Sequence, residues 1–255
     1  MEDRPGLETA HVRGLSRQPP QAIFLDLDDT LLDDGPQQEV IVRTCKEIAA
    51  VQPGLDHAHL AEANDRARES YWPQVAHDFM TGAIDGASVG LETWRRTLQA
   101  CGCSDESVAQ YAAQTHSRLA REAYRLFDDV LEFVSAAREA HIPLALITNG
   151  ASDTQRDKVR ALNIESWFDC IVISGEVGVA KPASAGFEVA LSRLGVDKGA
   201  VCHVGDSLVS DVAGANTAGI TSIWLNRTGA IRAENDPKPD VEVRSLSELL
   251  TRQAR

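Results

Sequence analysis

Five short apolar runs rich in β-branched residues constrain this chain more than any other feature: AIFLDL (22–27), PLALIT (143–148), CIVIS (170–174), AVCHVG (200–205) and TSIWL (221–225). Each has the length and make-up of a strand buried on both faces. The last four are separated by segments of helical pattern: DTQRDKVRAL, then SAGFEVALSRLG closed by Gly195, then VSDVAGANTAG closed by Gly219. Strands alternating with helices predict a doubly wound α/β fold, a parallel sheet with right-handed crossovers and helices on both faces. In such sheets ligands bind beyond the carboxyl ends of the strands.

Residues 35–125 break the rhythm, because they contain amphipathic stretches and no convincing strand. Val40, Ile41, Ile48 and Val51 recur at helical spacing before Pro53. A second helix is expected from Leu60 to Tyr71, ended by Pro73, with a third on Leu91, Trp94 and Leu98 and a fourth on Val108, Tyr111, Thr115 and Leu119. Four such helices close a small bundle. The expected organisation is therefore a flexible leader over 1–20, an α/β core domain from 21–34 and 126–255, and a four-helix-bundle cap domain over 35–125. The bundle would sit over the strand ends as a lid, and Phe127 to Ala140 would return the chain to the sheet as a helix. Trp72, Trp94 and Tyr71 read as the core of the bundle. TGAIDGASVG (81–90) reads as an interhelical turn or as a loop that probes the site.

Charge and composition narrow the partners. The chain has 255 residues, 25 basic and 38 acidic, for a net charge of −13, which argues against a nucleic-acid backbone or an anionic membrane as the main partner. No apolar run approaches the roughly 18–20 residues of a membrane-spanning helix. The first twenty residues lack the apolar stretch of a signal peptide. Cys45, Cys101, Cys103, Cys170 and Cys202 are odd in number and lack zinc-ligand spacing, as expected of thiols in a reducing cytoplasm. None of the seven histidines sits in a motif; His203, inside an apolar run, reads as a satisfied core residue. Neither G-x-G-x-x-G nor G-x-x-x-x-G-K-[ST] occurs.

The chemistry gathers after the strands. FLDLDDTLLDDG (24–35) places five aspartates directly behind a buried run. On one rim the fold would bring together Asp26, Asp28, Asp29 and Thr30, then Thr148, Asn149 and Gly150, then Lys181-Pro182, and finally Asp206, Ser207 and Asp211. Carboxylates clustered in a partly dry site must protonate, pair or bind a cation. An all-oxygen set of Asp26, Asp206 and Asp211 suits Mg²⁺, while Lys181 and Thr148 suit a phosphoryl group beside it. Asp26 and Asp28, two apart on an extended segment, reach the same substrate. One then serves as nucleophile and the other as acid and base. Asp33 and Asp34 are assigned to a solvated turn, and Asp29 has no evident role.

DLDDT (26–30), ITNG (147–150), Lys181-Pro182 and GDSLVSD (205–211) resemble, in order, the four motifs of the haloacid-dehalogenase-like superfamily, and the helical insert resembles its type 1 cap. The stretches ITNGASDTQRDKV and GEVGVAKPASAGF are also similar to the N-acylneuraminate-9-phosphatase-like branch. The resemblance implies a Rossmann-like core and hydrolysis of a small phosphorylated substrate, such as a sugar phosphate, through an aspartyl-phosphate. It implies Asp26 as nucleophile and metal ligand and Asp28 as acid/base that also ligates metal through its carbonyl. Thr148, Asn149 and Lys181 would hold the phosphoryl group, with Asp206 and Asp211 on Mg²⁺. A cytoplasmic monomer or homodimer is expected. Asp29 stands where Gly or Asn is common, and Ala183 where an acid is common. A 2-haloacid dehalogenase would leave Asp28 superfluous. A phosphomutase would need a long-lived phospho-Asp26, and a non-catalytic regulatory protein would be expected to have lost a motif residue.

Overall fold

A computed structural model describes residues 11–12, 20–33 and 35–251. Six strands, β1 (Ala22–Leu25), β2 (Leu144–Thr148), β3 (Cys170–Ile173), β4 (Val201–Gly205), β5 (Thr221–Leu225) and β6 (Val241–Val243), form one sheet in the order β3-β2-β1-β4-β5-β6. Every pairing is parallel. The five expected strands are all present; β6 is the addition, a three-residue edge strand whose Val-Glu-Val alternation is too short to stand out.

Why the strands read as continuous apolar runs is visible in β1. Ile23 and Leu25 join one core with Phe133, Leu146 and Val204, whereas Ala22 and Phe24 join the opposite core with Ile147 and Phe187. Successive side chains point to opposite faces, and helices cover both. Truncating a ring as fully buried as Phe24 would cost about 3–5 kcal/mol. Leu25 pairs with Leu146 on one side and Val204 on the other. The ends of β1, β2 and β4 therefore lie abreast, at the point where the strand order reverses.

Four helices, α1 (Gln37–Val51), α2 (His57–Thr81), α3 (Gly86–Ala100) and α4 (Glu106–Ala123), intervene between β1 and the next helix, α5 (Val130–Glu139). They pack around Ile41, Ile48, Leu60, Trp94, Leu98 and Ala112. Asp56, Asp85 and Asp105 cap α2, α3 and α4 by accepting from His59, Ser88 and Ser107 N–H, a contribution of about 1 kcal/mol each. Pro73 does not end α2, contrary to expectation: the helix runs on to Thr81, because Tyr71 and Val75 on either side are both buried. A helix-interior proline costs about 3 kcal/mol, an amount that burial on both flanks can offset. The span 81–90 is likewise only half loop, since α3 begins at Gly86.

Leu32–Asp33 pairs antiparallel with Arg125–Leu126 where the chain leaves and re-enters the core. Asp33 is thus not simply a solvated turn: it binds Arg125 at 2.7 Å and accepts from Gly35 N–H. Asp34 lies outside the described residues. Of the leader, only His11–Val12 and Pro20 are described, and His11–Val12 pairs with Leu250–Thr251. The helices meet the core through α6 (Ser152–Ala161), whose Asp153 carboxylate accepts from Gly86 N–H at 2.9 Å and Ala87 N–H at 3.0 Å. A Cβ on Gly82 would lie 2.1 Å from the Gly175 carbonyl oxygen, so that contact requires glycine. Among the described residues no helix is long and apolar enough to cross a membrane.

Candidate active site

Asp26 directly follows β1, where its N–H donates to Val204 O at 3.0 Å and ties the strand end to β4. The residue is 6 % exposed. Lys181 reaches it from the loop after β3: Nζ donates to Asp26 Oδ1 and Asp211 Oδ1, each at 2.6 Å, and to Ile147 O at 2.8 Å. Three acceptors use the three ammonium protons and fix the head group. The amide of Asn149 clamps the same loop, donating to Lys181 O at 3.0 Å and accepting from Lys181 N–H at 2.8 Å. Its side chain therefore holds Lys181 in place.

Asp211 belongs to a wide helical turn, Leu208–Val212, in which Val212 N–H reaches back to Ser207 O. Such turns re-aim single side chains at functional sites. Asp211 Oδ1 also meets His203 Nε2 at 2.9 Å, and Oδ2 accepts from Ser207 N–H at 3.1 Å. A Cβ on Gly205 would fall 2.2 Å from Asp211 Cγ, so this packing requires glycine. His203 is buried as expected but incompletely satisfied, with Nδ1 lacking a partner. Asp206 is held through its carbonyl, which accepts from Trp224 Nε1 at 2.7 Å.

Asp28 is placed by α6. Gln155 Nε2 donates to Asp28 Oδ2 at 2.9 Å and also to Thr148 Oγ1, and Lys158 Nζ donates to Asp28 Oδ1 at 2.7 Å. Neither Gln155 nor Lys158 is apparent from the sequence as a site residue. The signal available is their spacing, three apart on the helix that starts right behind the ITNG rim. Asp29 acquires a reason: its φ is 54°, a left-handed conformation that Asp tolerates better than most residues, which also fits Gly or Asn at this position.

The electrostatics follow from crowding. Burial pushes the Asp26 carboxyl well above its ordinary range; Lys181 opposes this, and the Asp211 and Asp28 charges reinforce it. Burial acts on Asp211 in the same sense, but Lys181 and His203 outweigh it and hold that carboxyl below its ordinary range. Burial alone would lower the Lys181 pKa, whereas its two carboxylates raise it and keep the ammonium charged. Asp206 is pushed up to about 7, first by burial and then by the Asp211 and Asp29 charges. Carboxylate oxygens of Asp26, Asp206 and Asp211 lie within 4.8 Å of one another. One lysine cannot offset three carboxylates, so this arrangement favours a bound cation.

Asp26, Asp28, Thr148, Asn149, Lys181 and Asp206 line a cavity of about 390 Å³ at the strand ends. Asp211 stands behind Lys181, 1 % exposed. All seven residues to which the sequence assigns a role thus gather around Lys181 and Asp26. A chamber of about 1320 Å³ between the helices and the core adjoins the cavity and shares Asp28, Met80 and Asn149 with it.

Residues 20–219 match the haloacid dehalogenase-like hydrolase family. The chain is 30 % identical over 250 residues to a phosphoserine phosphatase of Thermus thermophilus, covering 91 % of this chain and 98 % of the relative. It is 31 % identical over 242 residues to the N-acylneuraminate-9-phosphatase of Mus musculus, covering 92 % and 94 %. A solved structure of the putative HAD-hydrolase YfnB from Bacillus subtilis, bound to magnesium, superposes with a TM-score of 0.67 at 24 % identity, over 89 % of this chain and 96 % of that one.

Proposed function

The chain belongs to the haloacid dehalogenase-like hydrolases, and from this premise we propose that it is a Mg²⁺-dependent phosphatase of a small phosphorylated metabolite, such as a sugar phosphate. The observation that carries this is the convergence of Asp26, Asp28, Thr148, Lys181 and Asp206 on one cavity. The phosphatases among its relatives support the reaction class. Residues 21–34 and 126–255 serve as the core domain, and 35–125 as a cap above it.

The donors suit Mg²⁺: all are oxygens, and Asp26 and Asp206 are short of positive charge. Asp26, Asp206 and the Asp28 carbonyl would hold it, with Asp211 in an outer position because both of its oxygens are already engaged. When bound, the ion supplies charge neutralisation at the phosphoryl oxygens.

Asp26 attacks phosphorus; an Asp26 oxygen–phosphorus bond forms as the ester bond breaks. Asp28 gives its proton to the departing alkoxide, then takes one from the water that attacks the aspartyl-phosphate. Gln155 and Lys158 donate to the two Asp28 oxygens and so hold the carboxyl in one orientation through both steps. The Lys181 ammonium, held beside Asp26, lends its positive charge to the equatorial oxygens and Thr148 donates to them, and Asn149 and Asp211 position Lys181. Displacement of halide needs no proton donor, so an Asp28 so deliberately held favours ester hydrolysis over dehalogenation.

A panel of N-acylneuraminate 9-phosphate, other sugar phosphates, nucleotides and flavin mononucleotide tests this. Hydrolysis is expected with Mg²⁺ and is lost on chelation and in Asp26→Asn. Turnover that survives either change refutes the proposal.

A further inference from the structure

Three cations line the large chamber: Arg68, Arg121 and Lys158. Arg121 Nε lies 2.6 Å from Asp157, and Lys158 Nζ lies 2.7 Å from Asp28. Arg68, exposed on α2, has no ion pair or hydrogen bond among the described residues. Beside it on α4 is His116, whose ring packs on Trp94 at 5.7 Å and whose Nδ1 is buried without a partner. Burial, aided by the Arg68 charge, pushes this imidazole down to about 4, so it is neutral near pH 7 and the charge at this spot belongs to Arg68. Asp65 and Glu69 also line the chamber and form no ion pair among the described residues. They oppose a group of high negative charge. A single carboxylate seated in the guanidinium fork is favoured, since two parallel N–H···O bonds depend on shape as much as on field.

We propose that Arg68 is a specificity residue that binds a carboxylate carried by the leaving group of the phosphate ester, with His116 as a neutral neighbour in the same subsite. The proposal rests on the phosphatase reading of the adjoining cavity. It deepens that reading to one substrate class, phosphorylated sugar acids and related hydroxy acids. Size points the same way: a chamber of about 1320 Å³ exceeds the roughly 300–1,000 Å³ of common small-molecule sites, and Trp72, 42 % exposed along it, offers an apolar face to a carbon skeleton.

The test uses a matched pair, 6-phosphogluconate and glucitol 6-phosphate, which differ only in a carboxylate replacing a hydroxymethyl group. Wild-type protein is expected to prefer 6-phosphogluconate. Arg68→Met is expected to raise KM for it about 10- to 100-fold, the range of a charge-assisted pair, while changing the glucitol ester less than about twofold. Arg68→Lys should fall between, because a point charge forms no fork. Arg68 is exposed and has no ion pair among the described residues, so an unchanged thermal midpoint is expected as a control. The same pair titrated calorimetrically onto Asp26→Asn, with and without Arg68→Met, reads the subsite without turnover. Turnover of both esters with equal losses, or none, in Arg68→Met overturns the carboxylate subsite and leaves the phosphatase reading standing. Absence of turnover with an Arg68-dependent difference in affinity overturns the phosphatase reading and keeps the subsite. Equal affinities in the calorimetry overturn the subsite whatever the turnover.

Discussion

If Mg²⁺ binds where proposed, protons compete with it for the same oxygens, and Asp206 sets the scale of that competition. Burial and the nearby Asp211 and Asp29 charges push its carboxyl up to about 7. A group raised in this way takes up its proton as pH falls through that value, so affinity for the proposed metal is expected to fall with it. With a pKa of about 7, the ionised fraction is about 0.9 at pH 8 and about 0.03 at pH 5.5. The apparent Kd for Mg²⁺ is therefore expected to weaken about 30-fold over this interval, a change of about 2 kcal/mol. Asp26, raised in the same direction by burial, makes the dependence steeper wherever it co-titrates. Isothermal titration at pH 5.5, 6.5, 7.3 and 8, in buffers of different ionisation enthalpy, reads both affinity and proton release. Release of about one proton or more per Mg²⁺ at pH 5.5 and about 0.1 at pH 8 is expected. An affinity that is flat across the range, with no proton release, would refute the argument that a crowded carboxylate set holds the ion.

Two substitutions test the frame around it. Lys181→Met leaves Asp26 and Asp211 buried without their shared cation; chelated protein should lose about 3–5 kcal/mol by urea denaturation, part of it restored by Mg²⁺, and an unchanged midpoint would contradict this. Gly205→Ala puts a Cβ 2.2 Å from Asp211 Cγ. The displaced Asp211 should release Lys181, so phosphate-ester turnover should fall at least about tenfold even if the fold survives at reduced stability. Wild-type turnover in that variant would show that Asp211 does not position Lys181.

Much of the candidate site was legible because its residues are punctuation as well as chemistry. Asp26, Thr148 and Asp206 each come directly at the end of an apolar run, and once the runs are parallel strands their ends must share a rim. Lys181 required the ordered motifs, because a lysine before a proline carries little signal alone. Gln155 and Lys158 were not legible. They sit on a polar helix, and only the docking of α6 beside β2 turns them toward Asp28. Arg68 is a similar case, an ordinary helix-surface residue until the four helices settle above the sheet.

The chain's own pattern determined the layered α/β class, five of its strands, the glycine caps at Gly195 and Gly219 and the helical character of 35–125, because apolar period and punctuation are local properties. Tertiary structure decided what those properties cannot express. Pro73 stays inside α2 because the residues on both sides of it are buried. Asp33 pairs with Arg125 because the two chain crossings run side by side. Asp211 faces Lys181 and His203 instead of the open cavity, because Gly205 leaves room for it there. The physical reason is common to all three: burial and charge pairing depend on distances between residues remote in the chain, and those distances exist only once the elements have packed.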